Sequence, residues 1–578
     1  MTDVQAVYPE CLRGENFFEL DCELRALLSA LDPAEAEKWQ GVLSDFGAFA
    51  AGPADEEAEH TDLYAPPRLD PYDRDGNLVN RIVHNPLWDT TAREVYERGI
   101  VGLNYGDDPA SFLVTFAMGY LLSQSNPSLH CPVTMTGALA YVIDRFAPES
   151  VRVRYLNELV RRDGKALTGG TWATELHGGS DVGATTTLAR PDPDTPGVFR
   201  LTGLKWFTSN ADGGLALATA RPEGAPQGSK GLGLYLVPVH LDDGRPNAMR
   251  VRRLKDKLGT RGVPTAEVDL MESWAVEVAP PPTGFKLMME ALEFSRIQNA
   301  MASVGIHRRA LLEAMAFASR RAAFGDVITN YPMVQDEILK ILVSLEAGMA
   351  LAFGAAHAFE PARGVDLEKG DDPARVWLRL ITALAKYFTA EEAIESCSAA
   401  IEIIGGNGYV NERVTPRLLR DAQVLTVWEG PANIQALELL RLLGNRYPGF
   451  ESFMERTRAC MDRAGDSLTR AAGIDFAAGL GAAINDCREA VDFIRSDSNE
   501  ARRHARRLLA LMSETLAAAL LVEQAADAFD NSGDRRKALI ARLFLERRLA
   551  PPCRYGIIPG QNWAHRHFDD LVHYRAIA

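Results

Sequence analysis

The sequence lacks several features that define common classes of protein. Its seven cysteines are scattered, odd in number and never spaced as Cys-x-x-Cys, which argues against a zinc ribbon or a dithiol redox motif. We therefore expect free thiols in a reducing compartment. No Gly-x-Ser-x-Gly segment is present, and the histidines show no metal-ligand spacing. These absences argue against a serine hydrolase and against metal catalysis.

Excess positive charge and long apolar runs are also missing. Asp and Glu number 78 against 62 Lys and Arg, and the net charge of -16 repels polyanions over most of the surface. No run of about eighteen uninterrupted apolar residues occurs, and the polar N-terminal segment lacks the basic and apolar regions of a signal peptide. We expect a cytoplasmic protein without membrane insertion.

The order of hydrophobic patterns predicts the fold class. Helical spacing of apolar residues dominates the chain, and short strand-like runs such as VFRLTGLKWFTS replace it in the middle. Three consecutive prolines then stop the strands, and Thr283 can cap the following helix. We predict an α+β, mostly α chain with an N-terminal helical domain (1–166), a central antiparallel β domain (167–280), a C-terminal four-helix bundle (281–446) and an additional helical tail domain (447–578).

The first segment suited to chemistry is TWATELHGGSDVGATTT, from Thr171 to Thr187. Its glycines let the backbone approach a flat ligand, and the hydroxyls of Thr174 and Ser180 can hydrogen-bond a ring. An ordinary polar loop between strands is the commoner explanation when this segment is considered alone.

The second segment, GLKWFTSNAD, runs from Gly203 to Asp212 and ends a predicted strand. It places two aromatic residues before hydroxyls and an amide. Aromatic rings can stack on an isoalloxazine, and a hydroxyl can bind its polar edge.

Together these segments resemble the acyl-CoA dehydrogenase family, whose β domain carries TEPxAGSD followed by GxKxWITN. Leu176 and His177 depart from the first pattern, and KWFTS is closer to the branch that contains AidB. Phe207 and Ser209 stand where the family has Trp and Thr. The resemblance implies an FAD cofactor contacted by Thr171, Thr174, Gly179, Ser180, Phe207 and Ser209, with Ser180 also contacting substrate.

A third segment, SRRAAFGDVITNYPMVQ, resembles the family's RxxFGxxIxxxxxxQ stretch. The resemblance implies that Arg321, Phe324 and Gln335 contact the FAD of a neighbouring subunit, and therefore a homo-oligomer, either a dimer or a tetramer. Arg321 offers a charge-assisted donor for phosphate and Phe324 an apolar surface. An isolated Arg and Phe on a helix would more often be a surface ion pair and a core residue.

The fourth segment, AIEIIGGNGYVNERVTPRLLRDAQVLTVWEGPANIQ, is the most specific. Gly405 and Gly406 open a loop whose amides can face a pyrophosphate. The family pattern is QxxGGxGY, so Glu402 replaces a glutamine and cannot donate as an amide would. The resemblance implies cofactor contacts at Glu402, Gly405, Gly406 and Asn433.

Glu429 is the candidate catalytic base. It follows Trp428 and precedes Gly430 and Pro431, and because proline favours the first helical position we expect the carboxylate at the start of a helix. Stabilisation of the helix dipole is the alternative role for such a glutamate. The family's other base position, beside Arg296, holds a serine here, which favours Glu429. The resemblance implies a substrate contact at Arg296.

The implied reaction is FAD-dependent α,β-dehydrogenation of an acyl-CoA thioester. The α-proton is weakly acidic, so the site must desolvate the base and stabilise the developing enolate. The resemblance implies that Glu429 removes this proton, that flavin N5 takes the β-hydride, and that the thioester oxygen is bound by a ribityl hydroxyl and the Glu429 N–H. An electron-transfer flavoprotein would reoxidise the flavin.

Two alternatives keep the same fold. An AidB-like protein could bind DNA in an alkylation response through the basic run ARRHARRLL at residues 501–509, although such runs are more often solvated helix faces, so we do not expect nucleic acid as a partner. A nitroalkane oxidase or flavin monooxygenase is the other alternative, and glutamate rather than aspartate at position 429 favours the dehydrogenase.

Overall fold

The computed structural model describes residues 12–496, 498–550 and 563–577, with residues 498–500 described by their backbone. The chain divides into two compact units. One comprises Gly41–Gln298, and the other comprises Met1–Gln40 with Asn299–Ala578. The four sequence-derived domain boundaries stay predictions.

The N-terminal region is mostly helical, as expected, but it also contains an unpredicted hairpin. Its strands pair Leu69 with Ile82, and the Asp73 carboxylate closes the turn by accepting from the Asn77 N–H at 2.8 Å. Prolines around this hairpin obscured the strand pattern. The elements are α1 (Cys22–Leu31), α2 (Pro33–Ala51), α3 (Pro53–Leu63), β1 (Arg68–Tyr72), β2 (Leu78–Val83), α4 (Pro86–Glu97), α5 (Phe112–Ser123), α6 (Pro127–Phe146) and α7 (Glu149–Leu159).

The β domain contains seven strands: β3 (Gly169–Trp172), β4 (Leu188–Pro191), β5 (Val198–Ser209), β6 (Leu215–Pro222), β7 (Gly233–Pro238), β8 (Met249–Leu254) and β9 (Thr265–Ala279). They form one sheet with strand order β3-β6-β4-β5-β9-β7 and β8 paired to β9. Because β7 also pairs with β6, the sheet closes on itself. The predicted antiparallel domain is wrong in one respect: β6 runs parallel to both β3 and β4.

The core of the β domain explains why its strands differ in sequence. Strand β5 mixes buried, half-buried and exposed residues along its length, whereas seven of the eight β6 residues are buried. Buried strands read as continuous apolar runs rather than as alternation. Trp172, Leu201, Tyr235 and Val268 are among the residues that fill the interior.

The second unit contains the helical bundle and the tail. The predicted cap Thr283 is instead the first residue of its helix, and the Asp372 side chain caps another by accepting from the Ala374 N–H at 2.9 Å. The bundle elements are α8 (Thr283–Ala318, which begins in the first unit), β10 (Ala322–Ala323), β11 (Asp326–Val327), α9 (Pro332–Arg363), α10 (Pro373–Ile404), α11 (Gly406–Tyr409), α12 (Val414–Leu425) and α13 (Ala432–Leu442).

The tail is helical, as the sequence predicts, and it packs against the bundle. The Ser513 hydroxyl donates to the Leu384 carbonyl at 3.3 Å, and the rings of Phe388 and Phe544 meet edge to face. The elements are α14 (Gly449–Asp462), α15 (Asp466–Ala472), α16 (Phe476–Ser496), α17 (Ser498–Ser532), α18 (Arg536–Phe544), a π-helical turn (Leu545–Leu549), α19 (Trp563–Arg566) and α20 (Phe568–Val572).

Two helices, Pro332–Arg363 and Ala501–Ser532, have the length and composition of a membrane span. Their most apolar windows are 89% and 72% buried within the protein, which is the behaviour of core helices. Within the described ranges, no group of three or more His, Cys, Asp or Glu side chains is arranged to hold a metal ion.

The prediction of free thiols is confirmed for the five cysteines in the described part of the chain. Burial raises the pKa of Cys460 and Cys487 to about 12, so these thiols stay protonated and unreactive. Cys11 and Cys553 lie outside the described residues. The free cysteines are Cys22, Cys131, Cys397, Cys460 and Cys487.

Candidate functional site

The first motif forms the loop that leaves strand β3. Thr171 and Thr174 are half-buried, whereas Gly179 and Ser180 are exposed. A Cβ at position 179 would lie 2.7 Å from the Thr174 hydroxyl oxygen, so a larger residue would require the Thr174 side chain or the loop to shift. The structure therefore brings Thr174 and Gly179 together in one loop, and their predicted cofactor contacts stay predictions.

A buried ion pair joins the two β-domain motifs, and the sequence analysis missed it. The Lys205 ammonium donates to the Glu175 carboxylate at 2.9 Å, and the two side chains are 0% and 3% exposed. Lys205 also donates to the Thr219 carbonyl at 2.8 Å. Backbone pairing reinforces the link, because the Trp206 N–H donates to the Thr174 carbonyl at 3.0 Å. The pair fixes the first motif against the second.

Glu175 is held as a carboxylate by an unusual number of donors. Burial raises its pKa, but Lys205 and hydrogen bonds from Thr186 and Thr187 outweigh burial and lower the pKa to about 2. The backbone N–H and hydroxyl of both threonines donate to it, at distances between 2.5 and 3.1 Å. The carboxylate thus pins Thr186 and Thr187, at the far end of the first motif, as well as Lys205.

The second motif presents some residues to solvent and turns others inward. Phe207 is 54% exposed. The Ser209 hydroxyl hydrogen-bonds the Thr265 hydroxyl at 2.9 Å, while the Thr208 hydroxyl is buried and donates to the Ala266 carbonyl. Phe207 is thus accessible to a ligand, and the cofactor contacts assigned to Phe207 and Ser209 from sequence stay predictions.

Asn210 ends this motif and is another residue that sequence analysis missed. It is buried and has a φ of 54°, in the left-handed region where asparagine is tolerated. Its side-chain amide donates to the Gly169 carbonyl at 2.9 Å and to the Thr168 hydroxyl at 3.0 Å. Asn210 thereby ties the end of β5 to the start of β3.

Arg296 lies on the part of α8 that belongs to the first unit. It is 5% exposed, and its guanidinium donates to the Glu293 carboxylate one turn earlier at 3.1 Å. Ser295, at the alternative base position, donates to the Ala291 carbonyl instead. The role of Arg296 in substrate binding stays a prediction.

The third motif forms the hairpin that connects α8 and α9. Phe324 is at its tip, 99% exposed and with a φ of 53°, which is unfavourable for a residue with a side chain. Arg321 and Gln335 flank the hairpin and are half-buried. A fully exposed phenylalanine in a strained turn is poorly explained by packing within its own chain.

The fourth motif begins with an open glycine loop at the end of α10. Gly405 has a φ of 73°, and a Cβ on Gly405 or Gly406 would meet nothing within 4 Å, so this backbone is accessible to a ligand. The Thr415 hydroxyl donates to the Gly408 carbonyl at 2.9 Å and holds the loop against α12. Glu402 is exposed on the last turn of α10.

Glu429 occupies a strained turn between α12 and α13. Its φ is 57° and that of Gly430 is 94°, giving two successive left-handed residues. The predicted position at the start of a helix needs a correction: Pro431 is the cap, and α13 begins at Ala432, so Glu429 precedes the helix by three residues. Asn433 is exposed on the first turn of α13.

Neutral side chains hold the Glu429 turn in place. The Gln435 amide donates to the Glu429 carbonyl at 3.1 Å and to the Gly430 carbonyl at 2.9 Å. Trp428 packs against the bundle core, and the Asn299 amide donates to the Leu425 carbonyl at 3.3 Å. Gln435 was also missed from sequence. No sequence pattern indicates its role, because that role depends on the turn folding back over α13.

The basic run at residues 501–509 is part of α17. Arg502, Arg503, Arg506 and Arg507 are exposed, and the Arg506 guanidinium donates to Glu391 at 2.9 Å. An arginine of the run thus forms an ion pair within the chain, which is typical of a solvated helix face.

Three family models match successive parts of the chain. They are described as the adaptive response protein AidB N-terminal domain, over residues 8–163, the acyl-CoA dehydrogenase middle domain, over residues 170–272, and the acyl-CoA dehydrogenase C-terminal domain, over residues 283–443. The last two contain all the predicted site residues discussed above.

Individual proteins show the same likeness. Acyl-CoA dehydrogenase family member 11 of Caenorhabditis elegans is 32% identical over 435 residues, which cover 73% of this chain and 69% of the relative. The putative acyl-CoA dehydrogenase AidB of Escherichia coli is 30% identical over 66% of this chain and 70% of its own. The solved structure of Caenorhabditis elegans ACDH-11 in complex with C11-CoA superimposes with a TM-score of 0.84 at 26% identity, covering 97% of this chain and 96% of that one.

Proposed function

Because the chain belongs to the acyl-CoA dehydrogenase family, in its AidB-like branch, we propose that it oxidises an acyl-CoA thioester between its α and β carbons. Glu429 is the base that removes the α-proton. The proposal extends the family assignment to a particular bond and a particular residue.

The observation that carries the proposal is the conformation of Glu429. A left-handed non-glycine residue costs on the order of 1–3 kcal/mol, and such strain persists where the surrounding structure imposes it. Here the Gln435 side-chain amide donates to two carbonyls of this turn, and the half-buried Trp428 packs against the bundle core. Stabilisation of the helix dipole would need none of this, since Glu429 lies three residues before α13.

Each of the two units, considered by itself, contains residues that fit part of an FAD cofactor. Gly405 and Gly406 leave open space beside accessible backbone, which suits a pyrophosphate, and Phe207 offers an exposed aromatic face. Thr174 and Ser209 supply hydroxyls for the polar edge of a flavin ring. FAD is the cofactor of the family, and when bound it supplies the acceptor for the hydride that leaves the β-carbon.

The protein's contribution to the chemistry is positioning and proton transfer. Glu429 must present one carboxylate oxygen to the α-carbon in a fixed orientation, and the rigid turn limits its freedom to do otherwise. The Glu175–Lys205 pair performs the corresponding task in the β domain, where it keeps the two motif loops in register. Neither Glu175 nor Lys205 needs to change its charge during the reaction.

Three partners follow from the same proposal. The substrate is an acyl-CoA, a compound of the class bound in the ACDH-11 complex. A second copy of the chain would bring Arg321 and Phe324 to a neighbouring FAD, which accounts for the exposure of Phe324. An electron-transfer flavoprotein would reoxidise the reduced cofactor.

Anaerobic titration tests this function. The FAD-loaded protein is mixed with saturated acyl-CoAs of increasing chain length, and the loss of the flavin's visible absorbance is followed together with the formation of the enoyl product. We expect bleaching and stoichiometric product with at least one range of chain lengths. An oxidised flavin with every acyl-CoA, combined with reduction by a nitroalkane, would contradict the proposal and favour an oxidase of the same fold.

A further inference from the structure

The start of helix α9 has little support from the bundle core. Residues 332–337 are exposed or half-buried, and Ile338 is the first buried residue of the helix. Tyr331, the residue that caps the start of α9, holds the hairpin that carries Phe324, because its hydroxyl donates to the Ala323 carbonyl at 2.7 Å. The hairpin is therefore tied to the N-terminal end of α9.

The tail helix α18 lies along α9 in the opposite direction. Arg536, at its start, donates to Glu346 at 2.5 Å, and Arg547, eleven residues later, donates to Asp336, which is ten residues earlier on α9. The Arg547–Asp336 distance is also 2.5 Å. Ten helical residues span about 15 Å, so the two contacts hold α9 at separate points along its length.

The contact at Glu346 is a firm anchor. Its carboxylate is fully buried and accepts from both Arg536 and Lys537, and Lys537 also donates to Glu23. Arg536 in addition donates to the Leu571 carbonyl and stacks 3.9 Å from the Tyr574 ring centroid. Breaking a buried pair leaves an uncompensated charge, which makes separation of α18 from α9 costly at this end.

The π-helical turn directs the other end of α18. It spans Leu545–Leu549, and its two successive arginines reach different helices. Arg547 contacts Asp336 on α9, while Arg548 donates to Glu392 on α10 at 2.6 Å. Single π turns inside helices are often found at functional sites, where the extra residue redirects side chains.

We propose that Arg547 is a positioning residue for the flavin site: through Asp336 it fixes the first turns of α9, and thereby the hairpin that presents Arg321 and Phe324. The inference rests on the flavin role proposed for that hairpin, and it gives the C-terminal tail a task within the enzyme. The Arg547 side chain is 25% exposed, so it can be substituted without opening the core.

Charge reversal and charge exchange test this inference. Arg547→Glu places a second carboxylate beside Asp336, and we expect FAD to bind about tenfold more weakly. Hydrogen exchange of residues 321–336 should rise in the apoprotein as well, a readout that is independent of activity. The double variant Arg547→Glu/Asp336→Arg restores the pair and should recover both properties. Arg463→Glu is the matched control, because Arg463 pairs with Asp527 within the tail.

The outcomes separate the inference from the function on which it rests. An FAD affinity for Arg547→Glu equal to that of Arg463→Glu, with affinity lost in Phe324→Ala, would overturn the role of Arg547 alone. Unchanged affinity in Phe324→Ala would refute the flavin role of the hairpin and the inference with it. Failure of the charge exchange to restore FAD affinity and amide protection would also count against Arg547.

Discussion

The two motif-bearing regions of this chain are held in place by opposite means. In the β domain, a buried Glu175–Lys205 ion pair joins the two loops, and five donor groups converge on one carboxylate. In the bundle, the Glu429 turn is held by the neutral amide of Gln435 and by the apolar packing of Trp428. A buried charged pair thus fixes the loops of the β domain, whereas an amide and an aromatic ring fix the backbone of the turn that carries the proposed base.

Removal of the Glu175–Lys205 ion pair should have the largest effect on the free energy of unfolding. Lys205→Met leaves the buried Glu175 without its counter-ion, and we expect a loss of about 3–5 kcal/mol in the free energy of unfolding. Denaturant titration of the apoprotein measures it. Arg252→Met is the matched control, since Arg252 pairs with Asp269 at 2.7 Å on the surface of the same domain, and its loss should cost at most about 1 kcal/mol. An equal loss of unfolding free energy in the two variants would show that the Glu175–Lys205 pair is no more important to stability than a surface pair.

Removal of the Gln435 hydrogen bonds to the Glu429 turn should slow the reaction more than it destabilises the fold. Gln435→Met keeps the side-chain length but removes both hydrogen bonds to the Glu429 turn, and we expect flavin reduction to slow by about 10- to 100-fold, the equivalent of about 1–3 kcal/mol. FAD content should not change. Gln423→Met, an exposed glutamine on α12, serves as the control. Reduction at the normal rate in Gln435→Met would show that the turn does not depend on this amide.

The β-domain ion pair should also make the stability of the protein depend on pH. The folded pKa of Glu175 is about 2, below its ordinary value near 4.5, so the unfolded state binds more protons and the stabilisation disappears as the pH falls between these values. We expect the stability of the wild type to fall with acid more steeply than that of Glu175→Gln, by about one proton in the linkage slope. Urea midpoints across this pH range provide the comparison, and parallel curves would contradict it.

The smallest expected effect concerns FAD binding at the glycine loop that follows Glu402. Glu402→Gln removes a negative charge from the last turn of α10, and we expect FAD to bind a few times more tightly, about two- to fivefold. Flavin fluorescence titration measures the dissociation constant. Glu395→Gln removes an exposed charge from the same helix two turns earlier and should leave the affinity unchanged. Weaker binding in Glu402→Gln would mean that the carboxylate itself contributes to the site.

Much of this fold could be predicted from local pattern. The run VFRLTGLKWFTS predicted strand β5 over the residues that form it, Val198–Ser209, and the proline cluster marked the end of the sheet. Strand β6 was missed because LALATARP is buried almost throughout and therefore shows no alternation. Its parallel pairings join residues distant in sequence, which local patterns do not encode.

The candidate site could be predicted from sequence where its residues match the family's patterns. Glu429 and the glycine loop stand out in sequence through that resemblance, and their roles stay predictions. Lys205 and Gln435 do not stand out in sequence, because their roles depend on the carboxylate and the carbonyls that folding brings to them. Supporting residues of this kind become visible only in the folded chain.

Flavin reduction in Glu429→Gln tests the central claim most directly. The variant and the control Glu412→Gln, an exposed glutamate of the same sequence motif, are loaded with FAD and mixed anaerobically with the acyl-CoA that the wild type oxidises fastest. We predict that Glu429→Gln binds FAD and acyl-CoA normally but reduces the flavin at least about 10²- to 10⁴-fold more slowly, while Glu412→Gln matches the wild type. Reduction of the flavin at the wild-type rate in Glu429→Gln would contradict the account, because another group would then have to remove the α-proton.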